Sequence, residues 1–244
     1  MLDDMSVLRE AVAGYRVAAT AAGLTWPKAA AASEGQPPEL VHRLFDVERI
    51  PEQVTWLMSQ GWEGRLLPGG GLVMPWPTDG GALDDLSLSI GVPFLWRHQL
   101  PLFHFEHVYF TIVLTGDHEG EIWRYTIPPD TWDAARAATS LASLFTTWTR
   151  AIEVGFVHHD SEHNRWLTVG DGSGNDDDTI RKLQQLAPGL DPLTFPIYMP
   201  DHPLTRARQV ECGVDMSSVD EDRAPEIMEE LLDEIDAIRA SIGL

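Results

Sequence analysis

Residues 108–152 constrain the fold of this chain more than any other stretch of its sequence. The run Val108-Tyr-Phe-Thr-Ile-Val-Leu-Thr115 is rich in β-branched and aromatic residues, which is typical of a strand buried on at least one face. A short linker with glycine at both ends, Gly116–Gly120, predicts a hairpin to a second strand over Glu121–Ile127. Apolar residues at helical spacing then predict an amphipathic helix over about residues 140–152. Two strands followed by a helix indicate the mixed α+β class.

The length and composition fit a globular protein with one large domain, or one domain with an elaborated end. Of the 244 residues, 43% are hydrophobic, which is enough for a substantial core. No apolar run reaches about 18 residues, so we expect no membrane span, and the acidic N-terminal residues lack the apolar segment of a signal peptide. Cys212 is the only cysteine, which excludes an internal disulfide and fits a reducing compartment. We therefore expect a cytoplasmic protein.

The chain is strongly acidic, with 38 acidic and 17 basic residues and a formal net charge of −21. Because phosphate groups are bound by basic surfaces, this charge argues against nucleic acid as a ligand and against an anionic membrane surface. Residues 171–244 hold 17 acidic and 6 basic residues, so the negative charge is densest in the C-terminal third. Such acidity keeps a protein soluble, and it can also attract a basic partner protein by electrostatic steering.

Hydrophobic periodicity and turn residues place the other elements. Helices are predicted over about residues 6–22, 39–45, 51–60, 179–186 and 223–241. Short strands are predicted over residues 66–67, 72–76, 93–96 and 165–169. The central hairpin and the helix after it are expected to share one core made of Ile112, Leu114, Ile122, Leu141, Leu144, Phe145 and Trp148.

The strongest metal-site candidate is a cluster of histidines and carboxylates. Its potential ligands are His158, His159, Asp160, Glu162 and His163. His159 and His163 are four residues apart and would share one face if the segment were helical. Gly155 precedes the segment, however, and no third, distant ligand is indicated. We therefore interpret the cluster as a polar surface loop and predict that it binds no metal.

No arrangement of residues in the sequence indicates catalysis. The chain has no Gly-x-Ser-x-Gly nucleophile motif. Cys212 follows Glu211, whose negative charge raises a thiol pKa rather than lowering it. His98, His104 and His107 alternate with aromatic residues and are interpreted as strand-face or loop residues. We expect no cofactor and a non-enzymatic function.

Tryptophan is frequent, with nine residues. Trp62, Trp76 and Trp96 lie in loop-rich segments near proline, where a large aromatic side chain either fills the core or anchors a partner. The core is the favoured interpretation. If this segment instead binds a partner protein, the residues concerned are Trp62, Trp76, Asp79, Asp84, Asp85 and Trp96. The acidic region Asp220–Asp236 is a second candidate contact surface, and for either segment the alternative is an ordinary solvated face.

Several short motifs follow one another in an order shared with a known family. The two most specific are Ile112-Val-Leu-Thr-Gly116 followed by Gly120-Glu-Ile-Trp123, and Ser140-Leu-Ala-Ser-Leu-Phe-Thr-Thr-Trp148. The supporting segments are Ala21–Pro27, Pro37–Phe45, Leu67–Pro75, Pro93–Trp96 and Leu100–Leu102. In this order the motifs resemble the SUKH superfamily, the Smi/Knr-type domain, over about residues 7–157. Residues 158–244 have no counterpart in that pattern.

The resemblance implies a domain of residues 1–157 with a curved, mostly antiparallel sheet backed by helices and a groove that binds partners. Residues 158–244 are then an acidic helical C-terminal extension, expected to pack on the same domain. Bacterial members of the family are commonly immunity proteins that bind and neutralise a polymorphic toxin, which implies a basic toxin domain as the partner here. The alternatives are a regulatory or scaffold protein of the same fold and a metal-dependent hydrolase that uses His158, His159 and His163.

Overall fold

The fold is mixed α+β, as the sequence predicts. The computed structural model describes residues 4–23, 38–60, 72–73, 76, 89–105, 108–126, 133–160, 162, 165–168, 176–220 and 222–243. None of the helices within these ranges is both long and apolar enough to cross a membrane.

A five-stranded antiparallel sheet forms the centre of the fold, with its strands hydrogen-bonded in chain order. The strands are β1 (Leu72–Val73), β2 (Gln99–His104), β3 (Val108–Val113), β4 (Ile122–Thr126) and β5 (Ala135–Ala138). β3 and β4 form the predicted hairpin, with Ile112 opposite Ile122. Two further strands, β6 (Val157–Asp160) and β7 (Arg165–Thr168), pair with each other in a separate antiparallel sheet.

Seven α-helices lie among the described residues. They are α1 (Met5–Ala21), α2 (Glu39–Phe45), α3 (Glu52–Met58), α4 (Leu141–Glu153), α5 (Asp176–Leu186), α6 (Pro203–Cys212) and α7 (Ala224–Ile242). Every helix except α6 was predicted from the sequence within a few residues of its ends. α4 begins with a capping box, in which the Ser140 hydroxyl accepts a hydrogen bond from the backbone N–H of Ser143.

The main hydrophobic core lies where α1 and α4 pack together and meet the sheet. α1 turns its predicted stripe inward, and Leu8, Val12, Tyr15 and Ala19 are all buried. The edge of the Tyr15 ring contacts the ring of Phe145 on α4 with 5.5 Å between centroids. The seven residues predicted to share one core all belong to this buried cluster, so that prediction is confirmed.

A smaller buried cluster covers the opposite face of the sheet. Its members are Val113, Trp123, Tyr125, Ala134, Cys212 and Val214. The buried amide of Gln99 lies on this face, where its oxygen accepts hydrogen bonds from the hydroxyls of Thr111 (2.8 Å) and Tyr125 (2.6 Å). The amide nitrogen donates to the hydroxyl of Ser89. The Gln99 side chain thus links β2, β3 and β4, and both of its polar atoms are hydrogen-bonded.

The structure corrects one predicted strand and contains three strands that the sequence did not predict, β2, β5 and β6. The predicted strand over residues 66–67 lies outside the described residues. Residues 93–95 instead form a bend that leads into a 3₁₀ helix over Trp96–His98, and Pro93 has no N–H with which to extend a strand ladder. β2 contains Pro101, which argues against a central strand, and the register shifts between Pro101 and Phe103 to accommodate it. β5 is the alanine-rich run Ala135–Ala138, whose residues alone favour a helix.

Residues on both sides of position 157 contribute to the same core. Ile180, Leu183, Phe195 and Ile235 belong to the buried cluster that contains the sheet and α4. The indole N–H of Trp148 donates a 2.8 Å hydrogen bond to the carbonyl of Thr194. The C-terminal part is therefore packed against the first part of the chain along the extended segment that precedes α6.

Candidate protein-interaction surface

The tryptophan and aspartate residues proposed to contact a partner lie in the core or outside the described residues. Trp96 is 6% exposed and belongs to the main core, and Trp76 is half-buried against the same core. Both placements agree with the interpretation that the sequence favours for these tryptophans. The remaining members, Trp62, Asp79, Asp84 and Asp85, lie outside the described residues.

The second candidate surface, Asp220–Asp236, is built on α7. The helix is preceded by a turn in which the backbone N–H groups of Arg223 and Ala224 donate to the carbonyl of Asp220 at 2.9 and 2.8 Å. Ile235 is completely buried, and Leu231, Ile238 and Ile242 pack partly buried beside it, as the predicted stripe requires. α7 contacts α2. With its apolar stripe inward, the helix presents its polar residues to solvent.

The solvent face of α7 carries a row of exposed carboxylates. They are Glu226, Glu229, Glu230, Asp233, Glu234 and Asp236, and the exposed Asp222 lies in the turn just before the helix. Residues 222–239 contain two basic residues, Arg223 and Arg239, so this stretch has an excess of five negative charges. The Arg239 guanidinium pairs with Asp236 at 2.9 Å. Leu232 is 37% exposed and borders this acidic face, next to Asp236.

A second acidic feature was not predicted from the sequence. It is a cleft of 380 Å³ between the α2–α3 connection and the β3–β4 turn, lined by Asp46, Val47, Glu48, Arg49, His98, Leu114, Thr115 and Glu119. Three carboxylates lie there with one guanidinium and one imidazole. The cleft was missed because its residues come from three separate segments that share no motif. Only the fold brings these segments together.

The two acidic features adjoin the same helix. α2 contacts α7, and Asp46, which caps the C-terminus of α2, lines the cleft. Asp46 adopts a left-handed conformation, with φ 51°. On the opposite wall, the backbone N–H of Leu114 donates a 2.6 Å hydrogen bond to the carbonyl of His98. Both walls of the cleft are therefore held by backbone structure rather than by the charged side chains alone.

The interpretation of the histidine cluster as a surface loop is wrong for His158, His159 and Asp160, which lie on strand β6 because this segment pairs with β7. Consecutive residues of β6 project to opposite faces, and His158 is exposed while His159 is half-buried. His163 lies outside the described residues. Within the described part of the chain, no three histidine, cysteine, aspartate or glutamate side chains are grouped closely enough to hold a metal ion. That this cluster binds no metal stays a prediction.

Two buried side chains, Cys212 and Asp133, have pKa values that burial raises above the ordinary values. Burial raises the pKa of the Cys212 thiol, and the nearby Arg136 only partly offsets this, so the thiol is protonated and not activated at neutral pH. Burial also raises the pKa of Asp133, against the opposing effect of the adjacent Arg124 guanidinium and the hydrogen bonds from Thr126. Asp133 is completely buried beside Arg124, away from any solvent-exposed surface.

An ionic network joins the β5 edge of the sheet to α6. Arg136 pairs with Glu121 at 2.9 Å and with Glu211 at 2.5 Å. Arg208 pairs with Asp191 at 2.6 Å and donates to the backbone carbonyl of Arg136 at 2.8 Å. The guanidinium of Arg208 therefore satisfies a carbonyl on the edge strand, which protects that edge from pairing with another chain. These charges hold the fold together.

No family model matches the chain, and no curated protein matches it.

Proposed function

We propose that this protein is a non-enzymatic, SUKH-type immunity protein that neutralises a polymorphic toxin by binding its basic domain. The observation that carries the proposal is the row of six exposed carboxylates on α7. A surface of one sign attracts a partner of the opposite sign and raises the rate of productive encounter. The motif resemblance supports the same class, and the net charge of −21 is complementary to a domain that acts on nucleic acid.

The spacing of the carboxylates supports a mode of neutralisation. At about 1.5 Å per residue, the six carboxylates from Glu226 to Asp236 span about 15 Å, or about one carboxylate every 3 Å along the helix axis. One strand of B-DNA carries one phosphate charge per about 3.4 Å of helix axis. A toxin surface that binds a nucleic-acid strand therefore meets a similar charge density on α7. In this mechanism α7 occupies the basic groove and excludes the substrate.

Tight binding needs contacts that become buried from solvent in the complex, because exposed charge pairs contribute little to the binding free energy by themselves. Leu232 supplies exposed apolar surface at the edge of the acidic face. The cleft beside α2 supplies Asp46 and Glu48, which can form charge-assisted hydrogen bonds with a lysine or arginine of the toxin. The carboxylates then set the association rate, while Leu232 and the cleft set the dissociation rate.

Growth rescue tests the proposal. We expect a gene for a large secreted protein with a variable C-terminal domain beside this one, and its absence would contradict the proposal. That C-terminal domain is expressed in a host cell together with wild-type protein or with the variant Glu229→Lys/Glu230→Lys/Asp233→Lys. The matched control reverses three exposed carboxylates on other parts of the surface, Glu52, Glu153 and Asp201. We expect the wild type and the control to protect the cell and the α7 variant to lose protection. Equal protection by all three proteins would contradict the proposal.

A further inference from the structure

Gly91 is in close backbone contact with a segment near the other end of the chain. The backbone N–H of Asp215 donates a 2.7 Å hydrogen bond to the carbonyl of Gly91. A Cβ built at Gly91 would lie 2.8 Å from the carbonyl oxygen of Asp215, closer than real Cβ contacts allow, and 3.1 Å from side-chain atoms of Ser218 and Val219. With φ at 76°, Gly91 is also in the left-handed region that side chains disfavour. Both the space and the backbone here therefore require glycine.

The loop that contains Gly91, residues 89–92, is anchored on the central sheet. The hydroxyl of Ser89 accepts a hydrogen bond from the buried amide of Gln99, whose oxygen is bonded to β3 and β4. Ile90 is buried, and Val92 packs against the smaller cluster on this face of the sheet. Gly91 therefore has a fixed position relative to the sheet.

The segment that contacts Gly91 is residues 214–219, here named the connecting turn because it lies between α6 and α7. One carboxylate oxygen of Asp215 accepts hydrogen bonds from the backbone N–H (3.0 Å) and the hydroxyl (2.6 Å) of Ser217. The carbonyl of Asp215 accepts a hydrogen bond from the hydroxyl of Ser218 at 2.7 Å. Val214 is buried in the smaller cluster. These contacts make the connecting turn one unit, so its contact with Gly91 places the whole turn.

The direction of α7 depends on where the connecting turn lies. α7 has two buried residues, Ala224 at its first position and Ile235 in its second half. A helix that is fixed at two points changes direction when either point moves. The connecting turn ends just before α7 begins, so its position sets the first of these points. It therefore also sets the direction in which the six carboxylates of α7 project.

We propose that Gly91 is a positioning residue for the acidic face of α7, because it seats the connecting turn on the sheet and so fixes the start of the helix. The inference rests on the proposed function, in which that face binds the toxin. Charges held in one arrangement steer a partner to one orientation, and a surface that is already ordered loses less conformational entropy on binding. A side chain at position 91 would displace the carbonyl of Asp215 and move the start of α7 without removing any carboxylate.

Gly91→Ala tests the proposal, and the chain offers a closely matched control. Gly155, at the end of α4, has the same φ of 76°, but no described atom lies within 4 Å of a Cβ built there. Gly155→Ala therefore introduces the same backbone strain without the collision. An effect seen in Gly91→Ala alone comes from the contact with the connecting turn.

Nuclear magnetic resonance of the two variants measures the contact and the helix direction without any partner. In Gly91→Ala we expect the amide hydrogen of Asp215 to exchange with solvent about tenfold faster or more, because it loses its bond to the Gly91 carbonyl. Residual dipolar couplings should show a changed orientation of α7 relative to β2–β4. Gly155→Ala should match the wild type in both measurements. An unchanged orientation of α7 in Gly91→Ala, or equal changes in the two variants, would overturn the proposal.

Ser218→Ala is a milder second variant that decides the question if Gly91→Ala does not fold. It removes the hydroxyl that holds the carbonyl of Asp215 in the connecting turn. We expect the Asp215 amide to exchange faster and α7 to change its orientation in the same direction as in Gly91→Ala. Wild-type exchange and orientation in Ser218→Ala would count against the positioning role.

Association with the toxin domain measures the consequence for binding. At low salt Gly91→Ala should associate about threefold or more slowly than Gly155→Ala, because the same charges are held in a different arrangement. At about 1 M salt the two variants should associate equally, because screening removes the steering. Equal rates at low salt would contradict the positioning role. A wild-type protein that does not bind the toxin domain contradicts the proposed function alone, since the magnetic resonance comparison still decides whether Gly91 fixes α7.

Discussion

The guanidinium of Arg124 donates a hydrogen bond of 2.7 Å to the backbone carbonyl of Ile197, 73 residues further along the chain. A second N–H group of the same guanidinium donates to the carbonyl of Phe195 at 3.0 Å. A buried cation needs a compensating charge, and the carboxylate of Asp133 lies 3.5 Å away. This buried contact holds the segment before α6 on the central sheet. It links residues 195–197 directly to strand β4.

The first prediction concerns this buried pair. Arg124→Met leaves the Asp133 carboxylate buried without its cation, and we expect a loss of about 3–5 kcal/mol in the free energy of unfolding, measured with urea. The double variant Arg124→Met/Asp133→Asn should lose less free energy of unfolding than the sum of the losses in the two single variants. Arg150→Met is the control, since the Arg150 and Glu153 side chains are 61% and 52% exposed, and it should cost about 1 kcal/mol or less. Equal losses in Arg124→Met and the control would contradict the structural role of Arg124.

The second prediction concerns the core between α4 and the sheet. Leu144 is completely buried, and truncation to alanine should cost about 2–5 kcal/mol because it removes apolar contacts and leaves a cavity. Leu186→Ala on α5 makes the same chemical change at a side chain that is 45% exposed, and it should cost about 1 kcal/mol or less. Urea unfolding of both variants measures the difference. Two similar losses would show that Leu144 is not in a packed core.

The elements predicted correctly are those whose signals are local. Ser140 marks the start of α4, and the apolar residues at helical spacing that follow it are enough to define its buried face. The β3–β4 hairpin is likewise contained in one continuous stretch. β5 could not be predicted, because Ala135–Ala138 becomes a strand only through its pairing with β4. Tertiary pairing there overrides the intrinsic preference of alanine for helix.

The candidate site was only partly predictable for a related reason. The acidic residues and the apolar stripe of α7 lie in one continuous segment, so both could be recognised in the sequence. The cleft joins Asp46, His98 and Glu119, which lie far apart in the sequence and share no motif. The pairing of Arg124 with backbone carbonyls also leaves no sequence signal, since every residue has a carbonyl.

The third prediction concerns pH. Partial burial raises the pKa of Glu121, but hydrogen bonds from Arg136, Trp123 and His118 outweigh it and hold the pKa below the usual value of 4.5. Because the folded-state pKa is the lower one, ionised Glu121 stabilises the fold above the unfolded-state pKa, and this stabilisation is lost as the pH falls through the folded-state pKa. Glu121→Gln should therefore destabilise the protein near neutral pH. Urea unfolding at decreasing pH should show the difference from wild type shrinking below about pH 4.5. A difference that stays constant would contradict the role assigned to the carboxylate.

The fourth prediction concerns metal. Protein purified without a histidine tag should contain far less than one zinc ion per chain by elemental analysis, because β6 directs His158 and His159 to opposite faces. Stoichiometric zinc that is lost in a His159→Ala/His163→Ala double variant would contradict this. It would also favour a metal-dependent hydrolase over an immunity protein.

The rate of association with the toxin domain tests the central claim most directly. Between about 0.01 and 1 M salt the Debye length falls from about 30 to 3 Å, so steering by α7 should make the association rate fall steeply while dissociation changes little. Glu229→Lys/Glu230→Lys/Asp233→Lys should slow association by about tenfold or more at low salt and flatten its salt dependence. Asp84→Lys/Asp85→Lys tests the other acidic segment in the same way. An association rate that does not depend on salt, or an α7 variant that associates as fast as the wild type, would contradict electrostatic capture of a basic toxin.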